Sequence, residues 1–236
     1  MSTAIGIELA ERGLLPDAAL RWGIRRLLKE RLGEPADESF LEDAPVAPVP
    51  EKANEQHYEV PAAFYRLVLG RRMKYSSALW PEGVDALDAA EDAMLDLTCE
   101  RADLADGQRV LELGCGWGSL TLQMAERYPA SRITAVSNSA SQRAFIEARA
   151  PANVEVITAD MNGFEPEGAF DRVVSVEMFE HMRDHRTLMA RIARWLAREG
   201  KLFVHVFCHR SKAYPFETDG ADNWMGRHFF TGGVMP

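Results

Sequence analysis

Cysteine is scarce in this 236-residue chain, and the three cysteines it has show no paired spacing. This argues against a disulfide framework and favours a reducing compartment, so we expect a cytoplasmic protein. The sequence has no apolar run of transmembrane length, no charged-then-apolar leader and no internal repeat. Acidic residues outnumber basic ones, 36 to 27, and the formal net charge of −9 argues against general nucleic-acid binding.

The composition that remains is that of an ordinary globular protein, with 47% apolar and 27% charged residues. Residues 1–32 have a helical pattern, and residues 33–53 hold four prolines among several acids, which indicates a linker. We therefore predict a helical N-terminal extension and linker over 1–53, followed by a catalytic domain over 54–236.

The segment Arg109–Gly118 is the most informative stretch, because it reads as a buried strand that breaks into a glycine-rich turn. The glycines of this turn are Gly114, Gly116 and Gly118. They permit close approach of a ligand to the backbone, and a helix beginning near Ser119 presents unpaired amide groups behind them. Glu112 precedes the turn and favours a cationic cofactor end, such as the sulfonium and ammonium of S-adenosylmethionine. A surface acid at a strand end is the alternative interpretation.

Strands and helices alternate through the rest of the chain. Further strands are predicted at Arg132–Val136, Val154–Ile157, Phe170–Val176 and Lys201–Phe207. Helices are predicted at Ser139–Ala150 and around Leu188–Leu196. This order favours an α/β, Rossmann-like fold with a mostly parallel sheet covered by helices on both faces. Such sheets bind ligands at the carboxyl ends of their strands, where Gly114, Asn138, Asp160 and Glu177 all fall.

Several spaced motifs are similar to those of one enzyme family. They are Asn54–Tyr58, Met73–Ser77, Gly114–Gly118, Ser175–Met182 and Phe229–Pro236. Together they resemble the cyclopropane-fatty-acyl-phospholipid synthases and the plant coclaurine-type N-methyltransferases, over residues 54–236. The resemblance implies a methyltransferase fold and S-adenosyl-L-methionine as cofactor.

The resemblance also implies a role for individual residues. Tyr75 and Ser76 would close over the cofactor, and Gly114 and Gly116 would face its methionine part. Asn138 and Gln142 would face the ribose, and Asp160 and Met161 the adenine.

Three departures from the family pattern bear on function. Asn138 stands where many methyltransferases carry an acid that forms hydrogen bonds with the ribose, and an amide forms weaker ones. Ser77 replaces the cysteine that helps to hold bicarbonate in cyclopropane synthases. The sequence also stops at Pro236, before the helix, the two strands and the acceptor-site tyrosine usual in the family, so we expect a truncated chain.

The catalytic candidates lie around the end of the fourth strand and in the fifth. They are Glu177, Glu180, His181 and His205. Glu180 and His181 would take a proton from the acceptor, although acids in the first turn of a helix are also favourable through its dipole. His181 and His185 have metal-pair spacing but lack a third ligand, so no metal is expected. His205 is either a satisfied sheet histidine or, by the resemblance, a bicarbonate ligand.

We therefore predict a methyltransferase that acts on a small nucleophilic acceptor, most simply an amine. Cyclopropane formation on a lipid alkene is the first alternative, and an inactive cofactor-binding fragment is the second. A basic amphipathic helix around Leu20–Lys29 allows contact with a membrane surface as well as docking on the protein itself. The apolar strand Leu202–Phe207 would be a sheet edge, which favours a homo-oligomer or a cover from residues 208–236.

Overall fold

The computed structural model describes residues 3–33, 44–53, 60–220 and 223–236. Its five main strands are β1 (Arg109–Leu113), β2 (Arg132–Ser137), β3 (Val154–Thr158), β4 (Phe170–Val176) and β5 (Leu196–His205). All pair in parallel, in the order β3-β2-β1-β4-β5, which confirms the predicted Rossmann-like sheet. The motif at residues 54–58 lies outside the described residues.

Helices cover both faces of this sheet and extend beyond it. They are α1 (Thr3–Glu11), α2 (Asp17–Leu32), α3 (Pro50–Ala53), α4 (Ala62–Val68), α5 (Leu87–Arg101), α6 (Ser119–Arg127), α7 (Ala140–Glu147), α8 (His185–Trp195) and α9 (Trp224–His228). A 3₁₀ turn spans Phe179–His181, and the short strands β6 (Tyr214–Pro215) and β7 (Val234–Met235) pair antiparallel. Among the helices described, none is both long and apolar enough to cross a bilayer.

Two apolar layers form the core, one on each face of the sheet. On one face, Leu111 and Leu113 of β1 pack with Leu188 and Ile192 of α8. On the other face, Val110 of β1 belongs to a cluster built from α5, α6, β2 and β4. Because a central parallel strand is covered on both faces, β1 reads as a nearly continuous apolar run, and Glu112 is the exception within it.

The strand order fixes the location of the site. Strands β2 and β3 lie on one side of β1, and strands β4 and β5, which follow in the chain, lie on its other side. The connections at the carboxyl ends of β1 and β4 therefore separate and leave a crevice between them. The Gly114–Gly118 turn follows β1 and Glu177 follows β4, so both lie at this crevice.

The fifth strand differs from its predicted bounds. It begins directly after α8 and ends at His205, whereas the sequence predicts Lys201–Phe207. Its pairing with β4 is irregular, since Phe170 pairs with Leu196 but Arg172 pairs with Lys201. As predicted, β5 forms one edge of the five-stranded sheet. Phe207, just beyond it, packs edge-on against Phe230 with ring centroids 5.3 Å apart.

The second N-terminal helix, α2, remains largely exposed. No residue of α2 is buried, and Ile24 and Leu28 remain more than half exposed, at 56% and 57%. The guanidinium of Arg31 lies over the ring of Tyr214 at 4.6 Å from its centroid. The apolar stripe of α2 is therefore largely uncovered by the described part of the chain.

Candidate active site

The turn after β1 requires glycine for different reasons at its three positions. Gly114, Gly116 and Gly118 have φ angles of 80°, 53° and 81°, in the left-handed region. A Cβ on Gly118 would lie 2.7 Å from Ile146 Cγ1, and one on Gly114 would lie 2.8 Å from Met178. A Cβ on Gly116 would meet no described atom within 4 Å, so the backbone there borders open space that a ligand could enter.

Two clefts open on either side of this turn, and Gly114 and Gly116 line both. The Asn138 cleft is further lined by Asn138, Gln142, Asp160, Met161 and His181. The Lys74 cleft is further lined by Lys74, Tyr75, Ser76, Glu112, Trp117 and Glu177. The structure thus divides the predicted cofactor residues into two groups, in the way a cofactor with an adenosine half and a methionine half requires. Glu180 and His205 line neither cleft.

Each cleft contains a buried donor that the described residues leave unsatisfied. In the Asn138 cleft, Gln142 is 1% exposed and its Oε1 accepts a hydrogen bond from Ser137 Oγ at 2.7 Å. Its Nε2 has no partner, and neither does Nε1 of Trp117 in the Lys74 cleft. Because buried donors are rarely left unpaired, these two atoms fit a ligand that brings acceptor oxygens to both clefts.

Residues 44–53, here called the strap, close one side of the Asn138 cleft. Asn162 holds the strap with two hydrogen bonds, from Ala47 N to Oδ1 at 3.0 Å and from Nδ2 to Ala47 O at 2.8 Å. Asn138 Nδ2 donates to Pro50 O at 3.1 Å. The sequence predicts that these residues belong to a linker. The apolar residues Val46 and Val49 among the prolines are the signal that the segment packs on the domain instead. The domain division at residue 53 stays a prediction.

Glu112 is a buried acid with a strongly perturbed environment. It is 4% exposed, and Thr121 Oγ1 donates to its Oε2 at 2.5 Å. Burial raises the pKa of Glu112 to about 8, while the Thr121 hydrogen bond and the charge of Lys74 oppose the shift. Because the carboxyl group is buried, the alternative of a surface acid is wrong. A cation placed in the Lys74 cleft would favour the ionised carboxylate.

The acids after β4 form a second electrostatic feature. Glu177 adopts a left-handed φ of 52°, which is strained for a residue other than glycine. Glu180 is 2% exposed and its Oε2 has no hydrogen-bond partner among the described residues. Burial, with the nearby charge of Glu177, raises the pKa of Glu180 well above its usual range. Such a carboxyl group gains from any cationic or proton-bearing ligand that reaches it.

Glu180 and His181 lie on the 3₁₀ turn Phe179–His181, which ends before α8 begins. The next helix, α8, begins at His185 and has its own cap, Asp184, whose Oδ1 accepts from Thr187 N at 2.9 Å. Nε2 of His185 lies 2.8 Å from Phe179 O. The described residues contain no cluster of three or more potential metal ligands.

An aromatic group borders His181. The rings of His181 and Phe230 are 5.5 Å apart, and Phe230 stacks on Phe216 at 4.8 Å. Phe207 joins them through its edge-on contact with Phe230. The group combines apolar ring faces with an imidazole edge, which suits a ligand with an aromatic ring and a polar atom.

Sequence reasoning missed two residues of the Lys74 cleft. Lys74 lies in the motif Met73–Ser77 and Trp117 in the motif Gly114–Gly118, but neither residue has a predicted role. Both are buried, at 3% and 4% exposure. A lysine directly before the two residues implied to cover the cofactor was the available signal, but its burial is a tertiary property.

The geometry agrees with what comparison with known proteins finds. The family model for mycolic acid cyclopropane synthetase matches residues 49–236. The chain is 38% identical to (S)-coclaurine N-methyltransferase from Thalictrum flavum subsp. glaucum, over 98% of this chain and 70% of that protein. It is 33% identical to the cyclopropane-fatty-acyl-phospholipid synthase of Escherichia coli K12, over 77% of this chain and 46% of the synthase, so it matches about half of that enzyme.

A solved structure is similar over the whole chain. It is coclaurine N-methyltransferase bound to N-methylheliamine and S-adenosylhomocysteine, with a TM-score of 0.87 and 35% sequence identity. The match covers 100% of this chain and 74% of that one.

Proposed function

The chain belongs to the mycolic acid cyclopropane synthetase family, a family of S-adenosylmethionine-dependent methyltransferases, and we propose that it methylates the nitrogen of a small amine. The similarity to coclaurine N-methyltransferase supports this choice, because it extends over nearly the whole chain. A small aromatic amine of the kind those relatives are named for is the proposed acceptor class.

The observation that carries the proposal is the pair of carboxyl groups after β4, a buried Glu180 beside a partly exposed Glu177. An amine in water is largely protonated, and it must become neutral before its nitrogen lone pair can attack a methyl group. Glu180 is buried beside Glu177, and its Oε2 has no partner within the described chain, so it would bind an acceptor ammonium and accept its proton. His181 and Phe230 would hold the ring of the acceptor beside this pair.

The residues of the two clefts fit S-adenosylmethionine, which supplies an electrophilic methyl group on a sulfonium. Asn138, Gln142, Asp160 and Met161 would hold the adenosine half, and Gln142 Nε2 would donate to a hydroxyl oxygen. Tyr75, Ser76 and Glu112 would hold the methionine half. Gly114 and Gly116 would let the backbone approach closely, and the strap would exclude water. Because His181 lines the Asn138 cleft next to Glu180, the proposed acceptor site adjoins the cofactor site, and the main contribution of the chain is positioning.

Cyclopropane formation on a lipid alkene is the second candidate, supported by the family match. Closing the ring requires a base that removes a proton after methyl addition. Ser77 replaces the cysteine of cyclopropane synthases, and Nε2 of His205 lies 3.7 Å from Glu177 Oε1. His205 is therefore near an acid, whereas a bicarbonate ligand is expected near groups that attract an anion. This arrangement favours the amine.

The decisive experiment supplies methyl-labelled S-adenosylmethionine together with either a panel of aromatic amines, coclaurine included, or vesicles of unsaturated phospholipid. Transfer of label to an amine, lost in Glu180→Gln, is the expected result. Transfer to lipid alone would overturn the proposal in favour of the synthase. Retained cofactor binding with no transfer to either pool would identify a cofactor-binding fragment without catalytic activity. Glu199→Gln, at an exposed position of β5, is the matched control.

A further inference from the structure

We propose that Lys74 binds the α-carboxylate of the methionine half of S-adenosylmethionine, opposite Glu112, which faces the α-ammonium. The inference rests on the cofactor of the proposed function and extends it by assigning the recognition of the amino-acid end. Both residues line the Lys74 cleft together with Ser76 and Trp117. The cleft therefore presents one cation and one acid to a ligand end that is itself a zwitterion.

Lys74 is an unusual lysine, because it is only 3% exposed. Lysine is almost never fully buried unless its charge is paired. Yet within the described residues its ammonium forms no ion pair of 4.0 Å or less with a carboxylate. Its recorded contact is with a neutral hydroxyl, Ser76 Oγ, at 2.5 Å.

The ammonium therefore has unused hydrogen-bonding capacity inside a cleft. It carries three donors, and the Ser76 hydroxyl engages one of them. Burial lowers the pKa of Lys74 to about 8, against the opposing charges of Glu177, Glu91 and Glu112. A ligand carboxylate in this cleft would supply both the missing acceptor atoms and a close counter-charge, and it would favour the charged lysine.

The segment that carries Lys74 is held in place by a second buried acid. Glu91 is fully buried in α5, and its carboxylate accepts from Gly70 N at 2.9 Å and from Arg72 N at 3.2 Å. Met73 then adopts a left-handed φ of 52°, which turns the chain into the cleft. Because the backbone leading into this turn is held by Glu91, the ammonium is positioned before a ligand arrives, which lowers the cost of binding.

A purely structural role is the competing explanation, in which Lys74 offsets the field of the acids around it. The two roles differ in which ligands they affect. A carboxylate anchor changes affinity only for ligands that carry the carboxylate. A structural lysine changes the shape of the cleft for every ligand that enters it.

The test is calorimetry on the full chain with three ligands: S-adenosylmethionine, its decarboxylated form and 5′-methylthioadenosine. The first carries carboxylate and ammonium, the second only the ammonium, and the third neither. Lys74→Met should weaken S-adenosylmethionine by about 10- to 100-fold, the range of hydrogen bonds to charged groups. Affinity for the other two ligands should change less than about twofold. Lys201→Met, at an exposed lysine of β5, is the matched control.

Equal losses for all three ligands would make Lys74 a structural residue, and an unchanged affinity for S-adenosylmethionine would remove the contact altogether. If Lys74→Met does not fold, the wild-type chain still decides, because it should bind S-adenosylmethionine at least about tenfold more tightly than the decarboxylated form. Equal binding of these two would overturn the inference. The readout involves no acceptor, so failure of amine methylation would leave the result unaffected.

Discussion

Glu177 and His205 connect the ends of β4 and β5 twice. The backbone N–H of Glu177 donates to His205 O at 2.7 Å, and Nε2 of His205 lies 3.7 Å from Glu177 Oε1. The first contact extends the sheet pairing by one residue into the crevice. The second is too long for a hydrogen bond, so it acts through charge and only while the imidazole is protonated. We therefore expect His205 to act as a positioning residue for Glu177.

Replacing His205 by glutamine should consequently have a small effect. A partly exposed ion pair contributes about 0.2–1 kcal/mol, so kcat/KM should fall less than about fivefold. Steady-state kinetics of the variant against wild type measure this. A loss above 100-fold, or a rate that depends on added bicarbonate, would instead assign His205 to the chemistry.

Replacing Glu180 by glutamine should have a much larger effect. A positioned proton acceptor contributes on the order of 100- to 10,000-fold, so turnover should fall by that range. Affinity for S-adenosylhomocysteine should stay within about twofold, because Glu180 lines neither cleft. Steady-state kinetics with calorimetry separates the two quantities, and a near-normal rate would leave Glu180 as a buried structural acid.

Glu112 should make the cofactor-free protein less stable as pH rises. Its carboxyl group holds a proton up to a pKa of about 8 when folded, compared with about 4.3 in an unfolded chain. The folded state thus binds more protons between these values, and its stabilisation, complete below the lower value, is lost as pH approaches the higher one. Glu112→Gln should remove this dependence and raise Tm by a few degrees at pH 8.

The same variant should bind S-adenosylmethionine more weakly, because the amide cannot acquire the negative charge that faces the cofactor's cationic groups. Thermal unfolding from pH 5 to pH 8, with and without S-adenosylmethionine, measures both effects. Parallel stability curves for variant and wild type across this range would contradict the assignment to Glu112.

Gly116 and Gly107 form a matched pair that separates backbone strain from ligand contact. Both have positive φ, 53° and 83°, and a Cβ on either would meet no described atom within 4 Å. Leucine at either position should cost about 1–2 kcal/mol of unfolding free energy, because an L-residue is strained there. Only Gly116→Leu should also abolish cofactor binding in calorimetry. Intact binding in that variant would place the cofactor elsewhere.

The strap should retain the cofactor through Asn162. Asn162→Ala removes two neutral hydrogen bonds to Ala47, each contributing about 1 kcal/mol, and also the 3.2 Å contact of Nδ2 with Asp160 Oδ2, so affinity for S-adenosylhomocysteine should fall about 30-fold or more. Asn153→Ala, which removes contacts at the opposite end of β3, is the control and should leave the affinity unchanged. Equal affinities for the two variants would mean that the strap does not contribute to binding.

The sequence by itself determined the elements that depend on local signals. The apolar run of β1 breaks at glycines, Ser139 caps α7, and β4 matches its predicted bounds residue for residue. These features come from the side-chain period and from turn residues, which neighbouring positions in the chain specify. The alternation of strands and helices then predicts the parallel sheet and the location of the crevice.

Only the tertiary structure decided the environment of the charged residues. Nothing local indicates that Lys74 is buried in a cleft with Glu112, because the two meet only when the segment before α5 packs on the turn after β1. Likewise, the strap contacts Asn162 only in the folded protein, because Ala47 and Asn162 are far apart in the sequence. Burial and the distance between residues far apart in sequence arise from packing, and burial is what shifts the pKa values of Lys74 and Glu112.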